Sequence, residues 1–379
     1  MKDYKLIAKT LAGLEDVLAK EVKNLGGKNV RRGKRAVFYE GNLELIYKSN
    51  YHLRTALRVL KEVAHFQFKN VDQFYLRCKN IDWKKHLTLD QNFRVDSIVI
   101  NSKEFRNSMY TSLRVKDAIA DYFREKEGKR PNVETDQPDV IINVHVFENS
   151  CTLSIDSSGE SLHKRGYRIK QGDAPLNEVL AAGMLLLAGW RGNSDFMDPM
   201  CGSGTLAIEA AMIAQNIPAA KHRKEFAFQR WNDFDQLLWD EITSPVEKRD
   251  FRYKIYASDI SGSNLLNAKT NARRALVFNK IQFQNADFED LDTAFQNGLI
   301  VTNPPYGERL KEENLDALYQ MIGTQLKHKY PNCEAWILSA ALNSLKQIGL
   351  KPDKKIDLMN GALKCKYNKF KLYEGKSEL

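Results

Sequence analysis

The chain has 379 residues, 43% hydrophobic and 28% charged, with five cysteines and a formal net charge of +10. That length supports two or three domains with cores of their own, in a globular rather than a low-complexity protein. No apolar run approaches the ~20 residues that cross a bilayer, the first residues lack a secretory core, and the scattered cysteines argue against a disulfide framework or a zinc site.

The protein is therefore expected in the cytoplasm, without membrane or metal. Both halves carry a basic surplus, and such a diffuse positive field suits nucleic acid, where phosphate contacts dominate affinity.

From Tyr4 the chain reads strand, helix, strand. Tyr4-Lys5-Leu6-Ile7-Ala8 alternates; Leu14, Val17, Leu18, Val22 and Leu25 recur at helical spacing, and Gly26-Gly27 stops the helix. Val37-Phe38-Tyr39 and an amphipathic stretch from Leu43 to Tyr51 complete a small α+β unit expected over residues 1–65. A second unit is expected over 66–158. It has a strand at Arg94–Val99, an amphipathic helix at Arg114–Arg124, and strands Val140–Val146 and Cys151–Ile155 around a turn at Glu148-Asn149-Ser150.

The basic and aromatic segment His163-Lys164-Arg165-Gly166-Tyr167-Arg168 opens a third region, 159–379, with a helix beginning near Pro175. Strands and helices alternate there, as in a parallel α/β sheet. Near the end, Asn360-Gly361 between two alternating runs signals a hairpin, so the sheet should finish with an antiparallel strand.

Four motifs in this region carry chemistry. Asp198-Pro199-Met200-Cys201-Gly202-Ser203-Gly204-Thr205 is a glycine loop between strand and helix, where a ligand can approach main-chain N–H groups. It also fits a dinucleotide fingerprint, but the acid that fingerprint needs ~20 residues on is displaced by an insert carrying Trp231 and Trp239. Asp259 ends an apolar strand and is followed by Ile260, placed to accept ribose hydroxyls or to cap the next helix. Asp287-Phe288 offers an acceptor for an adenine amino group and a ring to cover it, or else a cap for a helix over 289–295.

The fourth motif is Asn303-Pro304-Pro305-Tyr306. Alone it reads as a rigid turn or as a clamp: the Asn303 side chain and the Pro304 carbonyl accept from an exocyclic amino group, and Tyr306 supplies a flat face. The order decides between them. All four motifs follow consecutive strands, at the carboxyl edge where α/β sheets bind ligands, and one adenosine-bearing methyl donor with an amino acceptor accounts for them together.

Residues 165–379 thus resemble the class I S-adenosylmethionine-dependent methyltransferases that act on amino groups. The glycine loop, with Asn303-Pro304-Pro305-Tyr306-Gly307-Glu308-Arg309, looks closely like the RlmL family, which methylates guanine N2 in large-subunit (23S) ribosomal RNA. The stretches Phe226–Trp231, Ala174–Glu178 and Lys9–Glu15 also resemble that family, and Ser112–Ile119 resembles a THUMP RNA-binding domain beside a ferredoxin-like unit.

The resemblance implies a Rossmann-like domain with a mostly parallel seven-stranded sheet, preceded by ferredoxin-like and THUMP domains. It implies a donor site from Asp198, Cys201, Gly202, Ser203, Gly204 and Thr205, with Asp259 at the ribose and Ile260, Asp287 and Phe288 around the adenine. Asn303, Pro304, Pro305 and Tyr306 would hold the flipped base. The implied partner is 23S rRNA or a precursor ribosomal particle. Since this sequence ends after one such domain, a second methyltransferase activity, fused in some relatives, is expected from another protein.

Candidate RNA contacts are Arg114 and Lys116, Lys129 and Arg130, and Lys164, Arg165 and Tyr167, each of which also reads as an ordinary solvated face. Rival readings are an adenine-N6 methyltransferase and a non-catalytic ribosome-assembly factor.

Overall fold

Alternation at Leu6 and Ala8 starts β1 (Tyr4–Lys9), which turns those two residues towards the helices that follow. In this computed structural model the described residues are 2–168, 175–245, 249–291, 295–306 and 312–374. The elements then run α1 (Glu15–Asn24), β2 (Lys28–Gly33), β3 (Ala36–Gly41), α2 (Leu43–His52), β4 (Arg58–Gln67), α3 (Val71–Lys79), β5 (Asn92–Ile100), α4 (Ser108–Glu127), β6 (Asn132–Val133), β7 (Val140–Phe147) and β8 (Ser150–Asp156). All eight strands form one sheet, in the order β2-β3-β1-β4-β8-β7-β5-β6.

Strand β4 joins the two halves of this sheet, pairing with β1 on one edge and β8 on the other. Its sequence does not show a strand pattern because a bulge between Glu62 and Ala64 shifts its inside–outside parity halfway along. Helix α4 is longer than its expected 114–124. Asn107 caps its start by accepting from the Met109 N–H, and Gly128, in the left-handed conformation, ends it.

The second half contains α5 (Glu178–Leu187), β9 (Phe196–Asp198), α6 (Thr205–Ala214), α7 (Gln236–Thr243), β10 (Ile255–Asp259), α8 (Gly262–Arg274), β11 (Ile281–Asn285), β12 (Leu299–Thr302), α9 (Glu312–Lys329), β13 (Glu334–Ser339), β14 (Lys354–Asn360) and β15 (Leu363–Lys371). Its seven-stranded sheet has the order β11-β10-β9-β12-β13-β15-β14. The first five strands are parallel, and β15 runs antiparallel to both neighbours, forming the hairpin expected at Asn360-Gly361. Strand order reverses between β9 and β12, which opens a crevice at their carboxyl ends.

The insert between α6 and β10 packs against the N-terminal core. Phe228 stacks on Tyr47 with ring centroids 4.4 Å apart, and Trp239 meets Tyr51 edge-on at 5.5 Å. These rings join the apolar core of the first sheet rather than that of the second.

The junction also corrects two expected RNA contacts. Arg165 and Tyr167 are each 1% exposed. The Arg165 guanidinium pairs with Glu209, itself fully buried, at 3.4 Å and donates to the carbonyls of Leu162 and Arg54. Tyr167 donates to the same carboxylate at 3.2 Å. Both lie beyond the reach of RNA because the chain entering the second domain is folded beneath it.

Removing one partner of a buried pair strands the other charge. Arg165→Ala is therefore expected to cost roughly 3–5 kcal/mol in chemical denaturation. A variant with the parent's unfolding midpoint would show that the pair is not structural.

Candidate active site

A cavity of roughly 290 Å³ occupies the crevice at the strand ends. Its walls include Asp198, Cys201, Gly202, Ser203 and Thr205 from the glycine loop, Asp259 and Ile260 after β10, Asp287 and Phe288 after β11, and Asn303 and Pro305 after β12. Three candidates lie outside its walls. Gly204 is packed under the loop: a Cβ there would sit 2.9 Å from the Ala268 Cβ, and its φ is +82°. Pro304 is buried, and the Tyr306 ring packs on the core of the second domain. Ala174, Gly307, Glu308 and Arg309 lie outside the described residues.

The loop commits three of its amides to partners within the protein, two of them on β10. The Gly202 N–H donates to Asp259 Oδ2 at 2.8 Å, and those of Cys201 and Gly204 donate to the carbonyls of Ser258 and Cys201. The expectation that glycine amides face a ligand is corrected for these positions. What the loop exposes is the start of α6, which has no side-chain cap. A Cβ built on Gly202 meets nothing within 4 Å, so that position opens onto free space.

Two carboxylates stand in the same crevice. Asp198 accepts from the Thr302 hydroxyl at 3.0 Å, and burial, with the nearby Asp259 charge adding to it, pushes its pKa up to about 7. Asp259 also accepts from the Ser261 N–H and from the Asn264 side chain, three bonds in all with Gly202. One of its roughly four lone-pair sites remains for a ribose hydroxyl.

Buried carboxylates suit a positively charged ligand, and an uncapped helix start suits a carboxylate, so this donor set fits S-adenosylmethionine, which carries both. A cationic ligand binds the ionised form of Asp198. Donor affinity is accordingly expected to fall about tenfold from pH 8 to pH 6, with a proton released on binding at the lower pH. Titration calorimetry checks this, and Asp198→Asn should bind weakly at every pH; an unchanged pH profile in that variant would remove Asp198 from the account.

The site also contains residues that the sequence pattern did not single out. Arg168 links the parts of the donor loop, donating to Glu178 at 2.7 Å, to the Ser203 hydroxyl at 3.0 Å and to the Thr205 hydroxyl at 2.8 Å. Its place in a basic run concealed this. Leu318 and Met321 of α9 line the cavity, yet in sequence they are part of an ordinary amphipathic stripe.

Phe288 is 2% exposed and stacks on Tyr330 at 5.6 Å, so it forms wall rather than a cover over an adenine. Asp287 accepts from the Glu289 N–H in a turn, and no helix starts there among the described residues.

The Asn303 side-chain oxygen is buried and has no hydrogen-bond partner among the described residues. The Tyr306 hydroxyl accepts from Asn360 at 2.7 Å, across to the β14–β15 hairpin, so this ring is held in place rather than free to swing.

Of the remaining RNA candidates, Arg114 lies over the Tyr75 ring at 4.6 Å, Lys116 pairs with Asp117 and Lys164 with Glu160. Lys129 and Arg130 are exposed. Among the described residues no cluster of His, Cys, Asp or Glu is placed to hold a metal ion, and no helix is long and apolar enough to cross a membrane.

Comparison with known proteins adds three family matches: RlmL ferredoxin-like domain over residues 5–60, THUMP domain over 68–156, and RMKL-like methyltransferase domain over 165–369. A Synechocystis protein named as a candidate RNA methyltransferase is 36% identical over 95% of each chain. The ribosomal RNA large subunit methyltransferase K/L of Vibrio parahaemolyticus is 37% identical over 97% of this chain, which spans 53% of that longer protein. A crystal structure of a candidate methyltransferase complexed with S-adenosylhomocysteine superposes with a TM-score of 0.90 at 30% identity, covering 99% of this chain and 100% of the other.

Proposed function

The chain belongs to the RMKL-like methyltransferase family, which makes it an S-adenosylmethionine-dependent methyltransferase, and from that premise we propose that it methylates the exocyclic N2 amino group of a guanine in large-subunit ribosomal RNA. The observation that carries this reading is the unpartnered Asn303 oxygen at the cavity wall. Leaving a buried acceptor unpaired costs ~1–3 kcal/mol. Such a cost is understandable where a substrate N–H completes the bond, and an amino group on a nucleobase is such a donor.

The bound donor supplies an electrophilic methyl group on a positively charged sulfur. The chain's residues then act on the acceptor. A guanine amino nitrogen is a weak nucleophile because its lone pair is delocalised into the ring. Accepting one N–H at Asn303 Oδ1 and the other at the Pro304 carbonyl would concentrate density on the nitrogen and orient its lone pair. The base must leave its stack to arrive, at a cost of a few kcal/mol. Tyr306, held by Asn360, offers a face that offsets part of it.

Asp198 and Asp259 would hold the donor's charged and ribose portions, and Arg168 would keep the loop closed around it. The proposed division of labour is a ferredoxin-like domain over 1–65, a THUMP domain over 66–158 and the catalytic domain over 159–379.

The test is transfer of labelled methyl from S-adenosylmethionine to ribosomal RNA and to precursor particles, followed by hydrolysis to nucleosides. N2-methylguanosine is the expected product. Recovery of N6-methyladenosine instead would overturn the choice of base.

A further inference from the structure

The loop that joins β1 to α1 belongs to the first sheet by sequence and to the catalytic domain by packing. Leu14 is fully buried in the apolar core of the second domain, and Leu11 packs against that core. Gly183 of α5 leaves the room that Leu14 needs, since a Cβ there would sit 2.6 Å from the Leu14 Cδ1. Gly13, with a φ of +89°, brings the loop close against β14. A Cβ on it would lie 2.5 Å from the Asp357 carbonyl oxygen and 2.8 Å from the Leu358 Cδ2.

Leu358 stands opposite Cys365 in the β14–β15 ladder, and Asn360 opposite Leu363 beside the turn. Leu358 and Cys365 are both buried in the second core. The Tyr306 hydroxyl meets this hairpin on both strands: Asn360 Nδ2 donates to it at 2.7 Å, and the Cys365 Sγ lies 4.0 Å from it. A short path of packed groups thus runs from Gly13 through Leu358 and Cys365 to Tyr306, and Asn360 closes it with a hydrogen bond. The donor loop has separate supports in Asp259, Arg168 and Ala268.

We propose that the β14–β15 hairpin is a strut that sets the base clamp from the N-terminal half of the chain, with Gly13 and Asn360 as the positioning residues at its two ends. This role rests on the reading of Asn303 to Tyr306 as the acceptor clamp. With its hydroxyl held between the two strands, the Tyr306 ring cannot tilt or swing away when a base arrives. Misplacing a reacting group by ~1 Å can cost on the order of a hundredfold in rate. The strut therefore acts on the transfer step, and it gives the loop after β1 a part in the reaction that is separate from holding RNA.

The test is single-turnover transfer by the full chain with S-adenosylmethionine and ribosomal RNA both saturating. Donor affinity by calorimetry is the control for folding. Asn360→Ala and Gly13→Ala should each slow transfer about tenfold or more while donor and RNA affinities stay near the parent's. Asn360→Asp should recover most of the rate, because its carboxylate can accept the proton of the Tyr306 hydroxyl. In a Tyr306→Phe background, with no hydroxyl to hold, Asn360→Ala should slow transfer no further; fully additive losses would remove Asn360 from the strut. Leu358→Val, a milder change at the Gly13 contact, keeps that end testable if Gly13→Ala fails to bind donor.

A second readout needs no RNA. Tetranitromethane nitrates tyrosine rings that are mobile or exposed, and peptide mass spectrometry follows Tyr306 by itself. Tyr306 should be nitrated faster in the Gly13, Leu358 and Asn360 variants than in the parent. Parent-like transfer and nitration in a Gly13 or Leu358 variant that binds donor would detach the N-terminal end and overturn the strut. Faster nitration supports it even if the parent modifies no ribosomal nucleoside, a result that would sink the proposed substrate instead.

Discussion

Asn303→Ala is expected to reduce methyl transfer by roughly 10²–10³-fold, the loss typical of removing one preorganised hydrogen-bonding group from an active site. Donor affinity should change little, because Asp198 and Asp259 and the start of α6 remain in place. Single-turnover transfer and titration calorimetry separate the two quantities.

Stability offers a third readout. The Asn303 oxygen is buried without a partner, so its removal also removes a desolvation cost. The variant should therefore unfold no more readily than the parent, by denaturant titration. A variant that transferred methyl at near the parent's rate would show that Asn303 does not hold the acceptor. One that failed to bind donor as well would place Asn303 in the donor site instead.

Gly204→Val should abolish donor binding and destabilise the catalytic domain. Gly204 has a φ of +82°, where an L side chain is strained at ~1–3 kcal/mol and a β-branched one most of all. A Cβ there would also lie 2.9 Å from the Ala268 Cβ and 3.2 Å from its Cα. Helix α8 or the glycine loop must then move apart. The loop carries the Gly202 amide that anchors Asp259, so displacement reaches the donor site directly.

Donor affinity is expected to fall below detection and the unfolding midpoint to drop, measured by calorimetry and thermal melting. Gly202→Ala provides the contrast. Its Cβ meets open space, and its φ of +53° is tolerated better, so the fold should survive while the cavity loses room. If Gly204→Val bound donor normally, the loop would be more pliable than its packing implies.

Much of this site was legible from residues near one another in sequence. Each motif combines a strand end with the turn after it, and the strand tells where its last residue lies. Asp198, Asp259 and Asn303 could therefore be placed on one edge without knowing the strand order. Residues whose roles come from distant partners were not legible. Arg165 reads as a surface cation until Glu209 is seen beneath it, and Arg168 reads likewise until Ser203 and Thr205 are seen to accept from it. Phe288 reads as a cover for a ring because Tyr330, which it stacks on, lies far along the chain. Strand β4 escapes because its bulge breaks the alternation on which strand reading depends.

Sequence by itself therefore determined the chemistry on offer: glycines where the backbone must turn, acids at strand ends, and an Asn-Pro-Pro-Tyr turn that cannot join a sheet. These follow from local steric and hydrogen-bonding rules, which act over a few residues. Tertiary structure alone decided which of those groups remain available. Burial and pairing depend on contacts between segments far apart in the chain. They took Arg165 and Tyr167 inside, committed three loop amides and tied Tyr306 to Asn360. They also left the Asn303 oxygen without a partner at the cavity wall.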